Sequence, residues 1–168
     1  MKNRYIIADK ILKVYAHRKG EEFEFLFDTA DLDLLLNLKN TLRVNQDGYL
    51  VHQFQKDGRN HTQFIHRILM GEPDGLLVDH RNGNRQDNRR CNLRVATHQE
   101  NQRNRRGSHA ASGYRNVYYM KSRDKYQVRL KINGKMKNFG YYKDVEEANK
   151  VAYEARAKYF GEFSGNIA

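Results

Sequence analysis

Val78-Asp79-His80-Arg81-Asn82-Gly83-Asn84, followed by Asp87-Asn88-Arg89-Arg90, Asn92-Leu93-Arg94 and Glu100-Asn101-Gln102-Arg103-Asn104, is the stretch that decides how this chain is read. Leu76-Leu77-Val78 and Leu93-Arg94-Val95-Ala96 are short apolar runs suited to strands. The Asn-, Gly-, Arg- and Asp-rich residues between them form a loop. Thr97 and Glu100 have capping-box spacing, which starts a helix that runs to about residue 106 and carries Asn101 in its first turns. Strand, loop, strand and helix make a ββα unit.

The residue types in this unit suit phosphodiester hydrolysis, which needs a water in line, a base for its proton and a charge for the leaving oxygen. His80 is the natural base, because an imidazole titrates near neutrality. Asp79 offers a carboxylate and Asn101 a carbonyl oxygen, both hard ligands suited to Mg²⁺. Neighbours on a strand point to opposite sides, so Asp79 can face a metal while His80 faces the water. Asn92, just before a strand, pins the loop through side-chain to backbone hydrogen bonds. Eight arginines fall between Arg81 and Arg106, enough to attract a polyanion.

At these residues the chain resembles the HNH (His-Me finger) endonucleases, in the branch whose third motif residue is asparagine. Asp79-His80, Asn92-Leu93-Arg94 and Asn101 match that motif, and Asn82-Gly83-Asn84 with Asp87-Asn88-Arg89 follows the phage and bacterial homing-endonuclease version. The resemblance covers roughly residues 45–106. It implies one divalent cation, Mg²⁺ or Mn²⁺, held by Asp79 and Asn101, with His80 as general base and Asn92 orienting the loop. The implied products carry 5′-phosphate and 3′-hydroxyl ends. His66 stands where the family often has His-Arg, and packing or loop bracing suits it better than catalysis. His52 and His61 read as surface or hairpin residues.

Charge is unevenly spread over the 168 residues. Up to Asp79 there are 11 basic and 12 acidic side chains, whereas from His80 onward there are 20 and 8, so the net charge of +11 belongs to the second half. That asymmetry marks a nucleic-acid-facing surface. A single cysteine, Cys91, excludes an internal disulfide and a cysteine-based zinc centre. The sequence has no apolar run of membrane-spanning length and no signal peptide, which points to a cytoplasmic protein, in a bacterial host cell if it is phage-encoded.

Before the ββα unit, Tyr5–Ala8, Ile11–Tyr15 and the alternating Glu22–Phe27 read as strands, and residues 31–39 as a short helix. Residues 48–54 and 61–65 make a hairpin about Lys56-Asp57-Gly58-Arg59, followed by a short helix at residues 66–71. After a small-residue linker at 107–113 come three strands, at 115–120, 125–132 and 135–141. Asn133-Gly134 forms a type I′ turn between the last two. Residues 144–160 form the strongest helix, capped by Asp144 and closed by Gly161.

Three basic strands before an amphipathic helix resemble the plant ethylene-response-factor (apetala-two type) DNA-binding domain. The resemblance rests on Ser112-Gly113-Tyr114-Arg115-Asn116-Val117, Lys125-Tyr126-Gln127-Val128-Arg129-Leu130, Phe139-Gly140-Tyr141-Tyr142, Glu147-Ala148 with Ala152-Tyr153, Gly161 and Asn166. Asn116 replaces the family's usual glycine, and Tyr126 its frequent tryptophan. The family lays such a sheet into the DNA major groove. Strand alternation puts Arg129 and Lys131 on one face and Val128, Leu130 and Ile132 on the other.

The expectation is therefore an α+β protein in three parts. Residues 1–44 are a β-rich region, 45–106 a ββα-metal nuclease unit, and 107–168 a three-stranded antiparallel sheet packed on one helix. The expected partner is double-stranded DNA, contacted by Arg81, Arg94, Arg103, Arg105, Arg106, Arg115, Lys121, Arg123, Arg129 and Lys131. The protein is expected to be a monomer, and the sequence points to no particular protein partner. A DNA-binding regulator with a vestigial nuclease unit is the alternative. An RNA-binding module lacks the aromatic stacking signature expected for single strands.

Overall fold

The computed structural model describes residues 1–103 and 111–165, which divide into two compact units, Met1–His98 and Gln99–Ala168. Mixed small antiparallel sheets and short helices make it an α+β fold.

In the first unit β1 (Tyr5–Ala8), β2 (Ile11–Arg18) and β3 (Glu21–Asp28) form an antiparallel meander. Alternation dictates which side chains go inward: Leu12, Val14 and Ala16 from β2 and Phe25 and Phe27 from β3 are fully or almost fully buried. Burying one such phenylalanine contributes about 1.5–3 kcal/mol. A 3-10 turn (Thr29–Asp31) leads into α1 (Leu32–Leu36), shorter than the helix expected at 31–39. Asp31 occupies the helix-start position, yet its side chain makes no cap bond there. Its carboxylate instead accepts both Nε and Nη2 of Arg90, at 3.0 and 2.7 Å.

The short strand β4 (Arg43–Val44) pairs with β5 (Leu50–Lys56), which pairs in turn with β6 (Arg59–Phe64). The turn between β5 and β6 puts Asp57 and Gly58 at φ 51° and 70°, the left-handed pair a type I′ hairpin requires. His52, on this hairpin, is buried rather than on the surface. Next come α2 (Ile65–Leu69), β7 (Leu77–His80) and β8 (Leu93–Ala96). Leu50, Ile65, Leu69, Val78 and Leu93 from these elements join Leu12, Val14, Phe25, Phe27, Leu35 and Leu42 in one core. By compactness, then, residues 1–44 are continuous with the elements that carry the ββα strands.

The short helix α3 (His98–Arg103) starts just after Thr97 and spans the division between the units. Beyond it, β9 (Val117–Met120), β10 (Lys125–Ile132) and β11 (Lys135–Tyr142) form an antiparallel sheet in the order β11-β10-β9. The first of these strands begins two residues later than expected because Asn116 adopts φ 68°. That left-handed conformation explains the residue: glycine is the default there, and asparagine is among the side chains that tolerate it. Asn133 and Gly134 make the second type I′ turn, at φ 47° and 80°.

The register of β10 against β11 shifts between Val128 and Arg129, beside Gly140 at φ 126°. A Cβ on Gly140 would lie 2.6 Å from Tyr142 Oη, so a side chain there would require the Tyr142 ring to move. α4 (Val145–Phe160) covers one face with Ala148, Ala152, Ala155 and Phe160, against Val117, Val128 and Leu130. Arg129 and Lys131 are exposed on the other face. No helix among the described residues is long and apolar enough to cross a membrane.

Asp144 Oδ1 accepts the Glu147 backbone N–H at 2.8 Å and so caps α4. Replacing Asp144 with alanine should lower unfolding free energy by about 1 kcal/mol, read from urea melts with an unchanged m-value. An unaltered midpoint would remove this cap from the account.

Candidate active site

β7 and β8 pair antiparallel, with Asp79 opposite Arg94 and His80 opposite Leu93. Cross-strand neighbours on one face lie within side-chain reach, and here they form an ion pair. Arg94 Nε and Nη2 both donate to Asp79 Oδ2, at 3.1 and 2.7 Å. Arg94 is only 4% exposed. This corrects the expectation that Arg94 contacts DNA, because strand pairing turns its guanidinium inward onto Asp79.

His80 lies on the opposite face of β7 and is also buried, with 4% of its surface exposed. Its ring packs on His66 (centroids 5.1 Å apart) and Tyr49 (6.0 Å). Burial lowers the imidazole pKa below its ordinary value, opposed by a hydrogen bond with Asn88 and by the carboxylates of Asp79 and Asp87. The histidine is therefore neutral at pH 7, the form in which it can accept a proton.

Residues 81–92 join the two strands without regular structure apart from a 3-10 turn at Arg90–Asn92, and asparagines meet their backbone needs. Asn92 is buried; its Oδ1 accepts the Asn82 N–H at 2.9 Å, and its Nδ2 donates to the Asp87 carbonyl at 2.7 Å. The Asn92 carbonyl accepts the Arg81 N–H at 2.8 Å. Asn82 caps the next turn through Asn84 N–H (2.8 Å) and reaches Asp87 Oδ2 (3.1 Å). Asp87 also carries the fork of Arg89, at 2.7 and 2.8 Å, and that bond holds its carboxyl below the usual range.

β3 anchors the loop from outside. Leu26 N–H donates to the Gln86 carbonyl and Asn88 N–H donates to the Leu26 carbonyl, both at 2.8 Å. Arg90 adds its backbone N–H to Asp28 Oδ2 at 2.8 Å, besides its guanidinium on Asp31. Asn88, Tyr49, Asp31 and Leu26 were not among the residues singled out for the site. Only Asn88 carried a sequence signal, as part of Asp87-Asn88-Arg89.

The first unit thus brings Asp79, His80 and Asn92 together, with exposed Arg81 on the same loop. Asn101 and Arg103 sit on α3 in the second unit, where the Arg103 guanidinium lies 4.9 Å from the Phe160 ring centroid. Arg115 braces its own unit, with Nη1 donating to the Ser164 carbonyl at 3.2 Å. Lys121, Arg123, Arg129 and Lys131 are exposed, with Arg123 over Tyr141 (4.5 Å) and Arg129 over Tyr118 (4.3 Å). Arg105 and Arg106 lie outside the described residues. No group of three or more His, Cys, Asp or Glu that could hold a metal occurs among the described residues.

Residues 66–103 match the sequence profile of the HNH endonuclease family, a span that contains all but the first residue of α2, then β7, the loop, β8 and α3. Protein 3.8 of Escherichia phage T7 is 29% identical over 113 residues, which cover 67% of this chain and 93% of the phage protein. A solved structure of DNA binding and cleavage by the HNH homing endonuclease I-HmuI is 24% identical over 57% of this chain, with a TM-score of 0.34. That alignment spans 51% of the homing endonuclease chain, about half its length.

His66 supplies a pH test of this packing. Burial, and after it the charges of His80 and Arg67, lower its pKa from the ordinary 6.5 to about 3. Between those values the unfolded chain binds a proton that the folded chain does not, so stability falls as pH drops through this window. His66→Phe should flatten the loss of unfolding free energy between pH 6.5 and 4 relative to wild type. Parallel pH profiles for the two proteins would contradict the buried, neutral assignment.

Proposed function

We propose that the chain is a metal-dependent DNA endonuclease of the HNH homing type, acting on double-stranded DNA in the cytoplasm of a bacterial host. The observation that carries this reading is the end of β7, where Asp79 is held in place by Arg94 and a buried, neutral His80 lies on the opposite face of the strand. The profile match over residues 66–103 supports the same conclusion.

In this reading Asp79 and Asn101 hold one Mg²⁺ or Mn²⁺. Carboxylate and carboxamide oxygens are hard donors, and a pair of them leaves positions for waters and a DNA phosphate, which suits Mg²⁺. The bound ion supplies positive charge for the phosphate and the leaving oxygen. His80 takes the proton of the attacking water, and Asn92 keeps the loop closed around it through Asn82 and Asp87. The phosphodiester opens to 5′-phosphate and 3′-hydroxyl ends.

Residues 45–106 are the catalytic unit and 107–168 an ethylene-response-factor-like DNA-binding domain. Arg81 and Arg103, with Arg105 and Arg106, suit phosphates, which position a protein without reading sequence. Arg129 and Lys131, on one face of β10, suit guanine edges in the major groove, and Lys121 and Arg123 suit the DNA backbone. Arg94 orients Asp79 rather than touching DNA.

Nicking of supercoiled plasmid with Mg²⁺, with EDTA, and by His80→Ala tests the catalytic assignment. The alanine variant should bind DNA normally and cleave roughly 10²–10⁴-fold more slowly, and EDTA should abolish cleavage. Cleavage in EDTA, or wild-type rates from the variant, would contradict the reading. Binding without cleavage under any metal would mark the chain as a regulator with a vestigial nuclease. Separately, Arg129→Ala should weaken binding at the preferred site by about 1–3 kcal/mol and much less on random DNA. Equal losses on both would take site selection away from β10.

A further inference from the structure

We propose that Asn88 is the positioning residue that fixes the His80 tautomer, placing the ring's proton on Nε2 and its lone pair on Nδ1. The inference rests on the nuclease reading for its catalytic consequence. His80 Nε2 and Asn88 Oδ1 lie 3.2 Å apart, both side chains being buried. The amide's orientation follows from its other contacts: Nδ2 lies 3.3 Å from the Arg85 carbonyl and 3.4 Å from the Gln86 carbonyl. Two carbonyls accept and cannot donate, so the NH₂ group faces them and Oδ1 faces the imidazole. An oxygen acceptor at Nε2 requires the proton there, and in a neutral ring the lone pair then belongs to Nδ1.

Asn88 is itself immobilised. It is 1% exposed, and its backbone N–H donates to the Leu26 carbonyl at 2.8 Å, so the outer edge of β3 sets where the amide stands. The parallel bridge between Leu26 and Asp87 fixes the preceding residue in the same way. Strand β3 thus orients His80 through one side chain. In the proposed reaction Nδ1 takes the water's proton, and Nε2–H stays on Asn88 as charge builds on the ring.

Nitrogen-15 NMR of the imidazoles in the full-length protein, without added metal, reads the tautomer directly. His80 should be the Nε2–H form in wild type and in Asn88→Asp, which keeps an oxygen acceptor. Asn88→Ala should give the Nδ1–H form or a mixture. In plasmid cleavage with Mg²⁺, Asn88→Ala should lower the rate constant by roughly 10–100-fold with unchanged DNA affinity, the usual cost of losing a group that orients a reacting one. Asn88→Asp should recover part of that loss.

An Nδ1–H tautomer in wild type overturns the proposal even if no alanine variant folds. So does an unchanged tautomer in a folded Asn88→Ala. The expected tautomers in a wild-type protein that cleaves no DNA would sink the nuclease reading while leaving the role of Asn88 in place.

Discussion

The structure of the site depends on one constraint: an irregular stretch at residues 81–92 must satisfy its backbone polar groups without a helix or sheet of its own. Unpaired buried N–H and C=O groups are costly, so loops of this composition survive only where side chains or neighbouring strands supply partners. Here the partners are the amides of Asn82, Asn88 and Asn92 and the edge of β3 at Leu26. These partners hold the loop that joins β7 to β8, while the strand pairing itself sets Asp79 against Arg94.

That dependence gives the N-terminal meander a function within the fold. Its inner residues, Leu12, Val14, Phe25 and Phe27, share a core with Leu50, Ile65, Val78 and Leu93 from the elements that frame the loop. Its outer edge pairs with the loop, and Asp28 and Asp31 tie down Arg90. Acidic side chains thus accumulate where the molecule braces itself. Exposed cations lie on the loop at Arg81 and on the sheet of the second unit at Arg129 and Lys131. The charge imbalance between the two halves of the chain reflects that division of labour.

Much of this was legible in the sequence, for local reasons. Alternation in Glu22–Phe27 marked β3, Asp57-Gly58 and Asn133-Gly134 specified turns needing two left-handed residues, and Asp144 three residues before Glu147 marked the start of α4. The spacing of Asp79-His80 and Asn92 also identified the hairpin that holds them. What escaped depends on contacts distant in sequence. Arg94 looked like one more cation in a basic stretch, and only the pairing of β7 with β8 sets it against Asp79. Asp31 looked like a helix start until Arg90, 59 residues away, claimed its carboxylate. Asn88 is visible in the sequence only as part of Asp87-Asn88-Arg89, and its contact with His80 depends on β3, which holds its backbone at Leu26.

In the proposed reaction Asp79 and Asn101 share one hard cation at the scissile phosphate. The most direct measurement is a crystal structure of the full-length protein with uncleaved DNA and Mn²⁺, with the metal located by its anomalous scattering. The account predicts a single peak per protein molecule, bonded to Asp79 and Asn101 oxygens and to a phosphate oxygen, with an imidazole nitrogen of His80 facing a water in line with the scissile bond. A peak bound elsewhere, or a metal held by Asp79 without Asn101, would contradict it.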